Sequence, residues 1–232
     1  MITQAYIDFF EELAQNNQRE WFQANKSRYE QEAKGPFLAM IQSVLDALNQ
    51  EERVYPEEAK ATLFRINRDV RFSKDKTPYH TILKASIVKV NDLGLAKKSA
   101  KPGIYLAADA QTLRIGGGLI KIDPKQLKPF RQYVADHIEE LQQVISTNTF
   151  ANTYKDLLKG ESYKKPDAIA KSTGQESPYL LLKQFYYMQE YPIKGYLDQD
   201  LTNVIIEHIQ AAKPVHQFLT KAIDFTQRPQ QV

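Results

Sequence analysis

Hydrophobic positions along the chain change period twice. Over residues 1–53 they recur at helical spacing, with Ile2, Tyr6, Phe9, Phe10 and Leu13 on one face. Asn17 with Glu20 three positions on has the form of a capping box, and predicts a second helix carrying Trp21 and Phe22 on its first turn. Phe37, Met40, Ile41, Val44, Leu45 and Leu48 predict a long amphipathic helix. Pro36 suits the start of that helix, where a missing N–H costs nothing. In the middle of the chain the period falls towards two. Residues 63–72, 83–90, 103–108 and 113–120 read as strands with turn signals between them. The connection Asp109-Ala110-Gln111-Thr112 is short enough to join the last two as an antiparallel hairpin.

The helical period returns after Asp123-Pro124, an N-cap followed by proline at the first helical position, with Leu127, Phe130, Val134 and Ile138 on one face. Residues 150–177 hold Lys-Lys-Pro-Asp and Ser-Thr-Gly-Gln without a clear period, and read as mostly loop. Residues 179–188 are densely apolar and aromatic, and predict a strand buried on both faces with Lys183 inside it. Two closing helices are expected, over 200–212 and 214–225, followed by a frayed tail over 227–232. No internal repeat, low-complexity tract or interdomain linker interrupts this order. Helices, then strands, then helices predict an α+β fold with a mostly antiparallel sheet of about five strands. The whole chain, 1–232, reads as one domain: helical over 1–53, sheet-rich over 60–122, helices and a late strand over 123–232.

Composition narrows the function classes. A chain of 232 residues with 42% hydrophobic and 25% charged positions has the make-up of an ordinary folded protein. Its formal net charge of +3 is small for that length, so any basic function must be local. The absence of cysteine removes disulfides, thiolate nucleophiles and zinc–cysteine clusters. No basic start followed by an apolar run opens the chain, and no apolar run approaches the roughly 18 residues of a membrane span. The expectation is a cytoplasmic protein without membrane attachment.

Charge is concentrated in residues 64–79. Arg65, Arg68, Arg71, Lys74 and Lys76 fall in one short run, with Asp69 and Asp75 among them. Neighbouring guanidinium groups suit a phosphate or carboxylate, because each donates hydrogen bonds in pairs. If residues 64–72 are extended, Phe64, Ile66, Val70 and Phe72 share a face with Arg68, while Arg65, Asn67, Asp69 and Arg71 line the other at spacings of about 6.6 Å. Arg68 then needs a partner carboxylate among its apolar neighbours, or the strand breaks near Arg68 and Asp69. Ser73 to Pro78 reads as a turn.

The candidate ligand-binding residues are Arg65, Arg68, Asp69, Arg71, Lys74, Asp75, Lys76 and the adjoining Tyr79. Lys183 joins them as a cation that either meets a buried carboxylate or snorkels from an edge. The competing reading is structural, an ion-pair ladder joining Asp69 to Arg71 and Asp75 to Lys74 or Lys76 along an edge strand.

Further signals are weaker. Gly116-Gly117-Gly118 is followed by Leu-Ile-Lys-Ile, so it satisfies neither a P-loop nor a dinucleotide fingerprint, and reads as a closely approached strand. His80, His137, His208 and His216 are not spaced as a helical metal pair, and no metal site is assigned. His80, beside the basic run, could serve as an acid or base. Trp21 and Phe22 read as core.

Three segments carry a resemblance. Asn17-Gln18-Arg19-Glu20-Trp21-Phe22, with Asn25-Lys26 and Tyr29, resembles the opening motif of the domain of unknown function 2461 family. Residues 64–79, Phe-Arg-Ile-Asn-Arg-Asp-Val-Arg-Phe-Ser-Lys-Asp-Lys-Thr-Pro-Tyr, match that family's central signature nearly in full. The later order is similar too: a strand pair with the glycine run, then Pro124, Leu127 and Arg131 on a helix, and a closing Lys213-Pro214 with Phe218-Leu219. One stretch departs, since Leu158-Lys159 is followed by Gly160-Glu161 and a longer loop where the family pattern has Leu-Lys-x-x-Pro-x-Gly. The resemblance implies a bacterial-type soluble protein and brings no activity, cofactor or catalytic residue with it.

The residues therefore point to a phosphorylated or otherwise anionic ligand held by Arg65, Arg68, Arg71 and Lys74, with Asp69 and Asp75 positioning the cations. A rival reading is an enzyme acting on phosphate esters, with Asp69 on a divalent metal and His80 moving protons. Such chemistry needs more converging carboxylates than the segment supplies. The same charged row would also suit a nucleic-acid-binding surface, or the contact face of a protein-interaction module. Cofactors and oligomeric state are left open.

Overall fold

The computed structural model describes residues 1–90, 101–157, 160–174 and 176–227. The architecture is α+β, with helices towards both ends and one antiparallel sheet in the order β1-β2-β3-β4. The strands are β1 Ile82–Ile87, β2 Gly103–Asp109, β3 Thr112–Leu119 and β4 Phe185–Pro192. Contacts divide the chain into two compact units. The first comprises 1–87, 105–115 and 190–207, and the second 88–104, 116–189 and 208–232. Among the described residues no helix is long and apolar enough to cross a membrane.

The first unit is built on the N-terminal helices. Helix α1, Gln4–Gln15, buries Tyr6, Ile7, Phe9, Phe10 and Leu13, the face its periodicity predicts. Helix α2, Arg19–Ala24, and the single turn α3, Lys26–Arg28, lead into a π-helical turn, Tyr29–Lys34. Helix α4, Gly35–Glu51, follows directly, with Pro36 in its first turn and all six predicted apolar residues buried. The wide turn requires glycine at its end, since a Cβ on Gly35 would lie 2.8 Å from the Glu30 carbonyl oxygen. The β2–β3 hairpin forms as predicted, and Asp109 Oδ1 shapes its turn by accepting from the N–H groups of Gln111 and Thr112 at 2.8 Å.

Two predictions fail in this unit. Asn17 does not cap α2: the N-cap is Gln18, and no side chain bonds there. Residues 63–72 are not a fifth strand, so the sheet has four among the described residues. Isolated antiparallel bridges, Leu63 with Ala85 and Asn67 with Tyr79, tie this segment to β1 and to the chain leading into it. The bridges span 63–67 on one side and 79–85 on the other, and the longer side bends at Thr81. Unequal lengths prevent a continuous ladder, and pairing ends once Arg68 turns towards Asp75.

The second unit packs α5, Pro124–Asp136, α6, Ile138–Ile145, and residues 208–225 of α9, Thr202–Phe225, around Phe130, Phe150, Phe185, Phe218 and Leu219. Asp123 caps α5 as predicted, its Oδ1 accepting from Lys125 N–H at 2.8 Å. The stretch 150–177 is mostly irregular among its described residues, as expected, and carries two short helices, α7 Asn148–Tyr154 and α8 Ala168–Ser172. Each helix is too short to show a period, yet Phe150, Tyr154, Ile169 and Ala170 are buried. Leu158, Lys159 and Gln175 of that stretch lie outside the described residues, as does the tail from 228. Two expectations are corrected. The run over 179–188 divides into a 3-10 turn, Pro178–Leu181, and β4, so Lys183 precedes the strand. The two C-terminal helices are one, running through Pro214. Burial of Ala212, Val215, Phe218, Leu219, Ala222 and Ile223 on one face offsets the single hydrogen bond that proline removes.

Candidate functional site

The basic segment is held in place by the chain entering α2. Asn17 spends its side-chain amide on the backbone of Tyr79, donating from Nδ2 to the carbonyl at 2.9 Å and accepting the N–H at Oδ1 at 3.1 Å. The Tyr79 ring stacks on Phe22, centroids 4.0 Å apart and planes 18° apart. Two further bonds of 2.8 Å, Arg68 N–H to the Pro78 carbonyl and His80 N–H to that of Ile66, zip the segment to itself. Tyr79 is 5% exposed, so the groups Asn17 serves have little access to water. Asn17→Ala strands them, and we expect it to lower stability by about 2 kcal/mol in urea titration. A loss below about 0.5 kcal/mol would show that the amide does not anchor the segment.

Beyond this clamp the arginines separate. Arg68 donates from Nη1 to Asp75 at 2.5 Å and also to the hydroxyl of Thr77. Arg71 meets Asp69 through two nitrogens, at 2.9 and 2.7 Å, and stands 76% exposed. Lys76 donates to the Val70 carbonyl at 3.0 Å. The Asp75 carboxyl is held at about 2 by the Thr77 backbone N–H first, then by Arg68 and the Thr77 hydroxyl. Asp69 is held below the usual range by Arg71. Asp75 therefore serves Arg68 rather than Lys74 or Lys76, and Arg68, Asp69, Arg71, Asp75, Lys76 and Thr77 all bond within the turn.

Arg65 belongs to a different grouping. It lines a cavity of about 410 Å³ together with Lys26, Lys34 and Lys60. Phe22, Gln23, Tyr29, Asn67, Tyr79 and the half-exposed Phe64 also line it. Among the described residues the one carboxylate lining this cavity, Glu30, already pairs with Lys34 at 2.7 Å. The π-helical turn supplies Tyr29, Glu30 and Lys34 to it, and such turns recur at functional sites. Four cations against one acid leave three positive charges in excess at neutral pH.

More positive charge lies along the same segment. Burial, then Lys84, then Arg68 push the His80 imidazole below its ordinary value, and burial with Arg68 does the same to Lys84. Lys183 is a member of the second unit, where its N–H donates to the Glu161 carbonyl at 2.8 Å and its ammonium lies 4.8 Å from the centre of the Tyr163 ring. Among the described residues no group of three or more His, Cys, Asp or Glu side chains could hold a metal ion. The sequence did not single out Lys26, Lys34 and Lys60 as candidates, although they line the cavity. Lys26 stood in the opening motif, whereas Lys34 and Lys60 carried no signal, since a lysine on a surface helix or turn is ordinary.

Fold and cavity together define an α+β protein with a four-stranded antiparallel sheet and a cation-rich hollow formed by its N-terminal helices and the arginine segment. Residues 5–218 match the family described as conserved hypothetical protein (DUF2461), and the chain belongs to that family. No curated protein matches it.

Proposed function

We propose that this protein binds a phosphorylated small molecule in the hollow lined by Lys26, Lys34, Lys60 and Arg65. The observation that carries this reading is the excess of cations over acids in one concave site. Like charges held together repel, and an anion with several oxygens relieves that repulsion while accepting bonds from ammonium and guanidinium groups. Arg65 is the member of the arginine segment that lines the cavity. In this reading Arg68, Asp69, Arg71 and Asp75 order the turn that presents it, and Lys74 and Lys76 add to the surrounding positive field.

Thermal unfolding in the presence of inorganic phosphate and pyrophosphate tests the proposal. Both anions should raise the midpoint, and the rise should shrink with added sodium chloride as charges are screened. Arg65→Ala and Lys60→Ala should each weaken binding about tenfold, equivalent to about 1.4 kcal/mol. Arg71→Ala should leave it nearly unchanged, because that guanidinium already serves Asp69. No stabilisation by either anion, or loss of it in Arg71→Ala and not in Arg65→Ala, would overturn the assignment.

A further inference from the structure

The lining of this hollow bears on the remainder of the ligand, and here, resting on the anion reading above, we infer that the ligand class is a nucleoside monophosphate. Phe64 lines the cavity beside Arg65 and is 50% exposed. Its backbone is fixed, since its N–H donates to the Lys84 carbonyl at 2.9 Å, so the ring is presented from a set position. Its neighbours along the cavity, Leu63 and Ile66, are half-buried and buried, which leaves Phe64 as the large apolar surface offered to a ligand there. A half-exposed aromatic ring beside cations is the pairing that recognises a nucleotide: the π-face stacks on a base and the cations take the phosphate.

Two more features narrow the class. Gln23 and Asn67 line the same cavity, and the amide that each carries can donate and accept, which matches the mixed donors and acceptors of a base edge. The volume of about 410 Å³ lies towards the small end of ligand sites, which run from about 300 to 1,000 Å³. That space suits one base, one sugar and one phosphate rather than a dinucleotide. The walls contribute both the ring and the charges, so a bare sugar phosphate would leave Phe64 in water.

Titration calorimetry with inorganic phosphate, ribose 5-phosphate, AMP and UMP, on the full chain and on Phe64→Ala, tests this. AMP should bind about tenfold more tightly than ribose 5-phosphate, and Phe64→Ala should remove that advantage while leaving phosphate and ribose 5-phosphate unchanged. Circular dichroism and an unchanged midpoint would show that Phe64→Ala folds, and Phe64→Tyr, which keeps the ring, should retain the preference. Equal binding of AMP and ribose 5-phosphate, both sensitive to Arg65→Ala, would sink the base-stacking inference and leave the anion reading intact. Failure of every phosphate compound to bind would sink both. A single-stranded oligonucleotide binding much more tightly than AMP, with a steep salt dependence, would overturn the mononucleotide assignment in favour of a nucleic-acid surface.

Discussion

Replacing Asp167 with alanine is expected to cost about 3 kcal/mol of stability, because it strands a charge inside the second unit. Arg131 on α5 is 3% exposed. Its Nη1 and Nη2 donate to the two Asp167 oxygens at 2.5 and 3.1 Å, and Nη2 also donates to the Leu180 carbonyl at 2.5 Å. The guanidinium lies 4.3 Å from the centre of the Tyr163 ring. Asp167 further caps α8, accepting the Ala170 N–H at 3.1 Å. One carboxylate thus neutralises the buried cation and starts the short helix. Breaking a buried pair from one side costs about 3–5 kcal/mol. The lower figure applies here because the Asp167 side chain is 34% exposed.

The accompanying double variant, Asp167→Ala with Arg131→Met, removes the unpaired charge and should be more stable than Asp167→Ala alone. Urea titration of the three proteins decides it. If the double variant is the less stable, packing of the arginine stem outweighs the charge. The pair also predicts an acid dependence. Arg131 holds the Asp167 carboxyl at about 2, against an ordinary 3.8. A carboxyl depressed in the folded state contributes stability that is complete above pH of about 4 and is lost as pH falls through about 2. Stability of the wild type should therefore fall across that window more steeply than that of the double variant.

Gly116→Ala carries the second large expected effect, again about 3 kcal/mol, at the upper end of overpacking costs. A Cβ there would lie 2.3 Å from the Tyr187 carbonyl oxygen and 2.8 Å from Met188 Sδ. The methionine could move; the backbone oxygen of β4 cannot without giving up its place in the sheet. Gly117 is equally constrained, 2.6 Å from the Gly103 carbonyl oxygen, and Gly118 adopts φ +102°. The glycine run thus brings β3 against its neighbouring strands, the closely approached strand that its sequence predicts. Thermal unfolding should show Gly116→Ala melting about 6–12 °C below wild type. A midpoint within about 2 °C of wild type would mean that β4 accommodates the methyl group.

How much of this was legible varies by element. Helices α1, α4 and α5 were readable because each buries an apolar stripe long enough to repeat, and because Pro36, Asp123 and Pro124 mark the starts of the last two. The β2–β3 hairpin was readable from its two-residue turn. The buried role of Arg131 was not. On α5 it looked like any polar residue between Phe130 and Val134, and its partner lies 36 positions away. Asn17 misled for a related reason: a good capping residue is also a good backbone mimic, and its amide found Tyr79 62 positions on.

The candidate site divides along the same line. Local pattern alone established a basic segment, an α+β architecture and the family signature, since charge runs and short periods are properties of neighbouring residues. Which cations face a common hollow was decided by folding. Arg68 and Arg71 found acids within seven residues of themselves, whereas Arg65 was gathered with Lys26, Lys34 and Lys60 from separate helices and turns. Only the packing of the N-terminal helices on that segment sets those four charges around one space, because convergence in three dimensions depends on where helices end and not on how residues are spaced along the chain.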